Sequence, residues 1–231
     1  MIPWLTDDLA FPDVERSLRY PDGLLAAGGD LSAQRLLQAY RRGIFPWFNP
    51  GDPILWWSPD PRMVLIPNQI KISRSLAKIL RNTRYEVRCN TAFEKVMLAC
   101  AAPRKDQDGT WINHDMVAAY TALHRSGHAH SVETWQEGKL VGGLYGVCIG
   151  RMFFGESMFS LVSNASKISL THLVKQLERW QFGMIDCQMS TPHLFSLGAR
   201  EIPRAEFIAK LQDLIHYPQI THWHIDTDLF K

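Results

Sequence analysis

Residues 131–159 read SVETWQEGKLVGGLYGVCIGRMFFGESMF. Three runs within this stretch, Ser131–Gln136, Leu140–Ile149 and Met152–Phe159, carry the β-branched, aromatic and small apolar residues of strands that bury at least one face. Only Glu137-Gly138 and Gly150-Arg151 punctuate them. Such gaps close hairpins and leave no room for a crossover helix, so the stretch predicts an antiparallel meander.

Helices and strands alternate on either side. Downstream, a helix is expected from about Asn164 to Gln181, with Ser163 or Asn164 as its cap and Ile168, Leu173, Val174, Leu177 and Trp180 as its buried stripe. Gly183 ends it, Met184–Met189 reads as a strand, and a last helix over Arg204–Ile215 precedes an irregular tail. Upstream, residues 73–82 are helical, Tyr85–Asn90 form a short strand, and Ala92–Ala101 and His114–Ser126 are helices, the latter closed by Gly127. Before residue 67 the composition changes. Pro46, Pro50, Pro53, Pro59, Pro61 and Pro67 are interleaved with Phe45, Trp47, Phe48, Trp56 and Trp57. Prolines at this density forbid long helices and central strands. One helix precedes them, capped by Ser32, apolar along Leu36, Leu37 and Tyr40, and stopped by Gly43. Residues 1–65 are therefore expected to form a small N-terminal lobe and 66–231 the main domain.

The 231 residues are 46% hydrophobic and 21% charged, the balance of a folded chain able to bury a core. Lys+Arg 25 against Asp+Glu 23 leaves a formal charge of +2, so any polyanion site must arise by local segregation of charge. The four cysteines lie far apart with no C-x-x-C, which excludes a zinc ribbon or a thioredoxin-type motif and predicts reduced thiols. Acids at positions 7 and 8 with no apolar run behind them argue against a signal peptide, and Leu140–Ile149 is half of the roughly 20 residues a membrane helix needs. A soluble, cytoplasmic protein is expected, with no exposed amphipathic repeat to drive assembly beyond a monomer.

Charge is segregated in one place. Lys71, Arg74, Lys78 and Arg81 share one face of a helix, with Ile72, Leu76, Ile79 and Leu80 on the other; Arg84 and Arg88 extend it, giving six cations in eighteen residues with a single acid, Glu86. A solvated amphipathic face is the plain explanation; contact with a phosphate backbone is the sharper one. Trp47, Trp56, Trp57 and Trp111 are ordinary core residues on one reading and base-stacking platforms on the other. Asp186 and Gln188 alternate with Ile185, Cys187 and Met189, which places them together on one strand face, and Gly155-Glu156-Ser157 sets a further acid in an apolar strand. Acids in such positions are costly unless paired or functional. Gly28-Gly29-Asp30 lacks the Lys-Ser/Thr of a phosphate loop, Gly155-Glu-Ser-Met-Phe lacks the second glycine of a nucleophile elbow, and His128/His130 and His222/His224 have no third ligand at metal-binding spacing, so no metal is expected.

Longer motifs carry a resemblance. Ala39-Tyr-Arg-Arg-Gly-Ile-Phe-Pro-Trp-Phe, Ile54-Leu-Trp-Trp-Ser-Pro-Asp-Pro-Arg, Gly109-Thr-Trp-Ile, Leu140-Val-Gly-Gly-Leu-Tyr-Gly-Val, Phe154-Gly-Glu-Ser-Met-Phe-Ser and Ile185-Asp-Cys-Gln, spread over nearly the whole chain, resemble the bacterial leucyl/phenylalanyl-tRNA–protein transferases. The resemblance implies an α+β protein: a small N-terminal lobe plus a GNAT-like acyltransferase domain with a largely antiparallel mixed sheet flanked by helices. It implies transfer of Leu or Phe, and less well Met, from aminoacyl-tRNA to proteins beginning with Arg or Lys, creating a degradation signal without a cofactor. Trp47 and Trp111 would sandwich the terminal adenine, and Arg74, Lys78, Arg81 and Arg84 would hold the tRNA backbone. Leu144, Phe153, Leu170, Leu173, Leu177 and Ile185 would line the aminoacyl pocket. Gln188 would position the acceptor amine with Asp186 polarising it through Gln188, and Glu156 would hold the donor's α-ammonium; the proton acceptor is left open. Two other classes compete. A coenzyme-A-dependent acetyltransferase would need a glycine-containing pyrophosphate loop, but Ser160-Leu-Val-Ser-Asn-Ala-Ser-Lys has no glycine. A non-catalytic tRNA-binding module leaves Glu156, Asp186 and Gln188 without a role.

Overall fold

The computed structural model describes residues 2–81, 84–102 and 112–230. The N-terminal part forms a four-stranded sheet from β1 (Trp4–Leu5), β2 (Leu24–Gly28), β3 (Phe45–Pro46) and β4 (Leu55–Trp57), in the order β1-β2-β4-β3. Helix α1 (Ala33–Arg41) lies between β2 and β3, and the Ser32 side chain caps it by accepting from the Arg35 N–H. Gly43 follows the helix with φ +71, and a Cβ there would sit 2.6 Å from the Ile208 side chain, so both backbone and space require glycine.

The main sheet has seven strands: β5 (Arg62–Leu65), β6 (Glu86–Cys89), β7 (Ala129–Gln136), β8 (Lys139–Ile149), β9 (Met152–Ser160), β10 (Met184–Gln188) and β11 (Arg200–Ile202), in the order β11-β5-β10-β9-β8-β7-β6. The expected meander is β7-β8-β9, and every neighbouring pair is antiparallel except β9 with β10. Helices α2 (Arg74–Leu80), α3 (Phe93–Ala101), α4 (His114–Arg125), α5 (Ala165–Arg179), α6 (Pro192–Ser196) and α7 (Arg204–Leu214) accompany it. The class is α+β, with a mixed, largely antiparallel sheet, as expected. Strand β5 already belongs to the larger sheet, where it separates β11 from β10, so that sheet takes up residues on the N-terminal side of position 65.

Two apolar clusters cover the sheet. One gathers Trp56, Tyr40, Phe93, Tyr120, Tyr145 and Phe154; the other gathers Leu144, Phe153, Leu170, Leu173, Leu177 and Ile185. Trp56 is a core residue, fully buried, edge-on to Phe11 and donating its indole N–H to the Gly28 carbonyl at 2.9 Å, which removes it from the stacking candidates. Asn164 is the N-cap of α5, one of the two positions expected, in a left-handed conformation, φ +66, and it caps the helix without a side-chain hydrogen bond. The tail after α7 is irregular, as expected, but not idle: Trp223 stacks on His130 with centroids 3.8 Å apart.

Candidate active site

The site lies where β9 and β10 part. They pair only over Met152–Phe154 and Met184–Asp186; beyond that β9 stays with β8 while β10 breaks register against β5. The break falls at Gln188, which adopts a left-handed conformation, φ +56. The simple period-two expectation for Asp186 and Gln188 therefore fails. A bulge separates them, and their side chains have different surroundings.

Asp186 is fully buried and does not line the cavity beside it. Its two oxygens accept from Arg62 Nε at 2.8 Å and Nη2 at 2.7 Å. Arg62 is equally buried; its guanidinium lies over the Phe45 and Phe207 rings and donates to the Gly43 carbonyl. Asp186 Oδ1 also accepts the Gln188 backbone N–H at 2.9 Å, so the carboxylate pins the bulge that turns Gln188 toward the cavity.

Glu156, half-buried on β9, does face the cavity. The Tyr40 hydroxyl donates to its Oε1 at 2.7 Å, the Tyr120 hydroxyl approaches Oε2 at 3.3 Å, and the two phenol oxygens touch each other. Gln188 Nε2 reaches Oε1 at 3.5 Å. Burial pushes the Glu156 carboxyl up to about 7; the Tyr40 hydrogen bond opposes the shift and the Asp186 charge adds to it. Burial also raises the thiol of Cys187, the one cysteine on β10, and keeps it protonated and poorly nucleophilic.

The cavity measures about 1340 Å³. Leu144, Phe153, Leu170, Leu173 and Ile185 line it, five of the six residues expected to form an aminoacyl pocket. Leu177 does not; it is fully buried in the cluster behind them. Trp47 lines it too, 38% exposed and edge-on to Trp57, whose indole N–H donates to the Trp47 carbonyl at 2.6 Å. Trp111 lies outside the described residues. The structure thus brings together Trp47, Glu156, Gln188 and the apolar wall, and sets Asp186 behind them.

The basic stripe is elsewhere. Ser73 caps α2 through the Leu76 N–H, Leu76 and Leu80 are buried, and Arg74, Lys78, Arg81 and Arg84 are exposed. None of the four borders the cavity. Arg88 is committed to Glu86 at 2.7 Å and lies over the Trp135 ring.

Sequence reasoning missed Arg62, Tyr40 and Tyr120. Its spacing puts Tyr40 on the apolar side of α1, and its ring is indeed buried, but its hydroxyl serves Glu156. The only signal for Arg62 was a cation inside an apolar strand segment, Arg62-Met-Val-Leu, next to prolines. Among the described residues no group of three His, Cys, Asp or Glu could hold a metal ion, and no helix is long and apolar enough to cross a membrane.

Comparison with known proteins bears on this arrangement. The leucyl/phenylalanyl-tRNA protein transferase family model matches residues 64–212, and the model of that family's N-terminal domain matches 29–60. The leucyl/phenylalanyl-tRNA–protein transferase of Nitrosospira multiformis is 66% identical over 217 residues, 94% of each chain. That of Nitrosomonas europaea is 63% identical over 227 residues, 98% of this chain and 96% of its own. Among solved structures, a GCN5-related N-acetyltransferase from Kribbella flavida aligns at 9% identity and a TM-score of 0.35, covering 73% of this chain and 59% of that one. On the two family models and on relatives of this identity and coverage, the chain belongs to the leucyl/phenylalanyl-tRNA–protein transferase family of aminoacyltransferases.

Proposed function

We propose that the protein transfers leucine or phenylalanine, and methionine less well, from aminoacyl-tRNA to the α-amine of proteins that begin with Arg or Lys. One observation carries this reading: a single cavity joins an exposed indole, an apolar wall and a carboxylate–amide pair. Those are the surfaces that an adenosine, a leucyl or phenylalanyl side chain, and two amines require. An apolar pocket separates similar apolar side chains by only about 1–3 kcal/mol, which suits a shared donor range.

The reaction needs little chemical help. The donor ester is already activated, and an α-amine with a pKa of roughly 7.7–8 offers its neutral form near physiological pH. The amine nitrogen bonds to the carbonyl carbon, the bond to the ribose oxygen breaks, and one proton moves on balance from nitrogen to that oxygen. Holding the two groups in contact supplies the main acceleration. In this reading Trp47 stacks on the terminal adenine, together with Trp111. Leu144, Phe153, Leu170, Leu173 and Ile185 enclose the donor side chain, with Leu177 supporting them from behind. Glu156 holds the donor α-ammonium, and Gln188 positions the acceptor amine. Asp186 acts through Gln188, whose N–H it accepts. Arg74, Lys78, Arg81 and Arg84 contact tRNA phosphates without reading bases.

The test is direct. Purified protein is given a peptide beginning with Arg together with either radiolabelled Leu-tRNA or radiolabelled acetyl-CoA. Label that enters the peptide from the tRNA alone supports the reading; label from acetyl-CoA, or from neither, overturns it.

A further inference from the structure

Tyr145 of β8 is fully buried and lines the cavity. Among the described residues its hydroxyl has no hydrogen-bond partner. This is anomalous for its surroundings, because the neighbouring phenols of Tyr40 and Tyr120 both engage Glu156. Nor is the ring loosely held: Phe93 and Tyr120 pack edge-on against it with centroids 5.9 and 5.8 Å away. Buried polar groups without partners are rare, and one held rigidly in a cavity wall is a place where a ligand supplies the missing bond.

The character of that ligand group follows from what surrounds it. Tyr145 pairs with Ser157 on β9, the residue next to Glu156. Among the described residues lining the cavity, Glu156 is the one acid and there is no Lys or Arg. An anion beside Glu156 would be repelled, whereas an ammonium has one N–H for the carboxylate and others to give elsewhere. Burial, followed by the charge of Glu156, raises the Tyr145 hydroxyl, so it stays a neutral phenol whose oxygen can accept.

We infer that Tyr145 Oη is a second partner for the donor's α-ammonium, accepting an N–H from the group whose charge Glu156 balances. This rests on the assignment of Glu156 proposed above. It adds a contact that separates an aminoacyl group from an acyl group of the same shape, so that Tyr145 contributes to selecting an amine-bearing donor.

The experiment uses two stable probes: phenylalanyl-adenosine with the 3′ ester replaced by an amide, and the same molecule lacking the α-amine. Binding of each to the full-length protein, Tyr145→Phe and Glu156→Gln is measured by calorimetry, with melting temperatures alongside. Tyr145→Phe removes no bond internal to the described protein, so its melting temperature is expected to be unchanged or slightly higher. Its affinity for the amine-bearing probe should fall about ten- to a hundredfold, the range for a hydrogen bond to a charged group, with the deaminated probe unaffected. Equal weakening of both probes, or of neither, by Tyr145→Phe while Glu156→Gln still erodes the preference for the amine would overturn this inference and leave the Glu156 assignment standing. If neither variant alters that preference, the Glu156 assignment itself fails.

Discussion

Arg62 and Asp186 stand 124 residues apart in the chain and meet as a two-pronged ion pair, 2.8 and 2.7 Å, with neither side chain exposed to solvent. The pair joins β5 to β10 and, through the Gln188 N–H, fixes the bulge at the floor of the cavity. A buried pair of this kind adds little net stability over an apolar equivalent, but breaking it strands a charge. Asp186→Ala should therefore cost about 3–5 kcal/mol in urea unfolding, and Arg62→Met with Asp186→Leu should recover part of that loss.

The same variant probes function. Assayed where it remains folded, Asp186→Ala should reduce turnover far more than tRNA affinity, because it unsettles Gln188 and not the cations proposed to hold tRNA. Equal losses in turnover and in affinity, measured by single-turnover transfer and filter binding, would refute its assignment to the chemistry.

Glu156 makes stability depend on pH in a definite direction. Its carboxyl is raised from 4.5 to about 7 on folding, so between those values the native state binds more protons than the unfolded one. Stability from this group is fully present below about pH 4.5 and falls as pH climbs to about 7, by up to about 3 kcal/mol. Glu156→Gln should flatten that decline in unfolding titrations. Binding of an amine-bearing donor should move oppositely, strengthening as Glu156 ionises near pH 7.

The cations of α2 should report through salt. Each phosphate contact adds close to one unit of slope to log affinity against log salt. Arg74→Ala combined with Lys78→Ala should flatten tRNA binding by about one to two units and leave the affinity of a small aminoacyl nucleoside untouched. An unchanged slope would remove α2 from the tRNA interface.

Trp47 exposes its ring to the cavity, while its carbonyl holds Trp57 through the main chain. Trp47→Ala thus keeps that hydrogen bond and loses the indole face. Affinity for an adenosine-bearing donor should fall by about 1–3 kcal/mol, read by calorimetry.

Local signals carried far in this chain. The β7-β8-β9 meander, the Ser32 cap, and the split of α2 into cationic and apolar faces all follow from patterns within a dozen residues. What stayed hidden depends on neighbours distant in the chain. The period-two reading of β10 cannot foresee a bulge set by Asp186 and Arg62. A tyrosine in an apolar stripe looks the same whether its hydroxyl meets water or, as for Tyr40, a carboxylate 116 residues away. Trp56 and Trp47 are alike in composition and context; only the four-stranded sheet, which seals one and leaves the other at the cavity rim, tells them apart.

The divergence of β9 from β10 means that the cavity is a fault in a sheet and not a hollow carved among side chains. Its apex is tied by the main-chain ladder between Phe154 and Asp186. On the proposed function, the spacing at which two reactants meet is thereby inherited from peptide geometry and not from the leucines and phenylalanines that line the opening wedge. A changed wall side chain would alter the donor preference proposed above, with the angle of the wedge left alone.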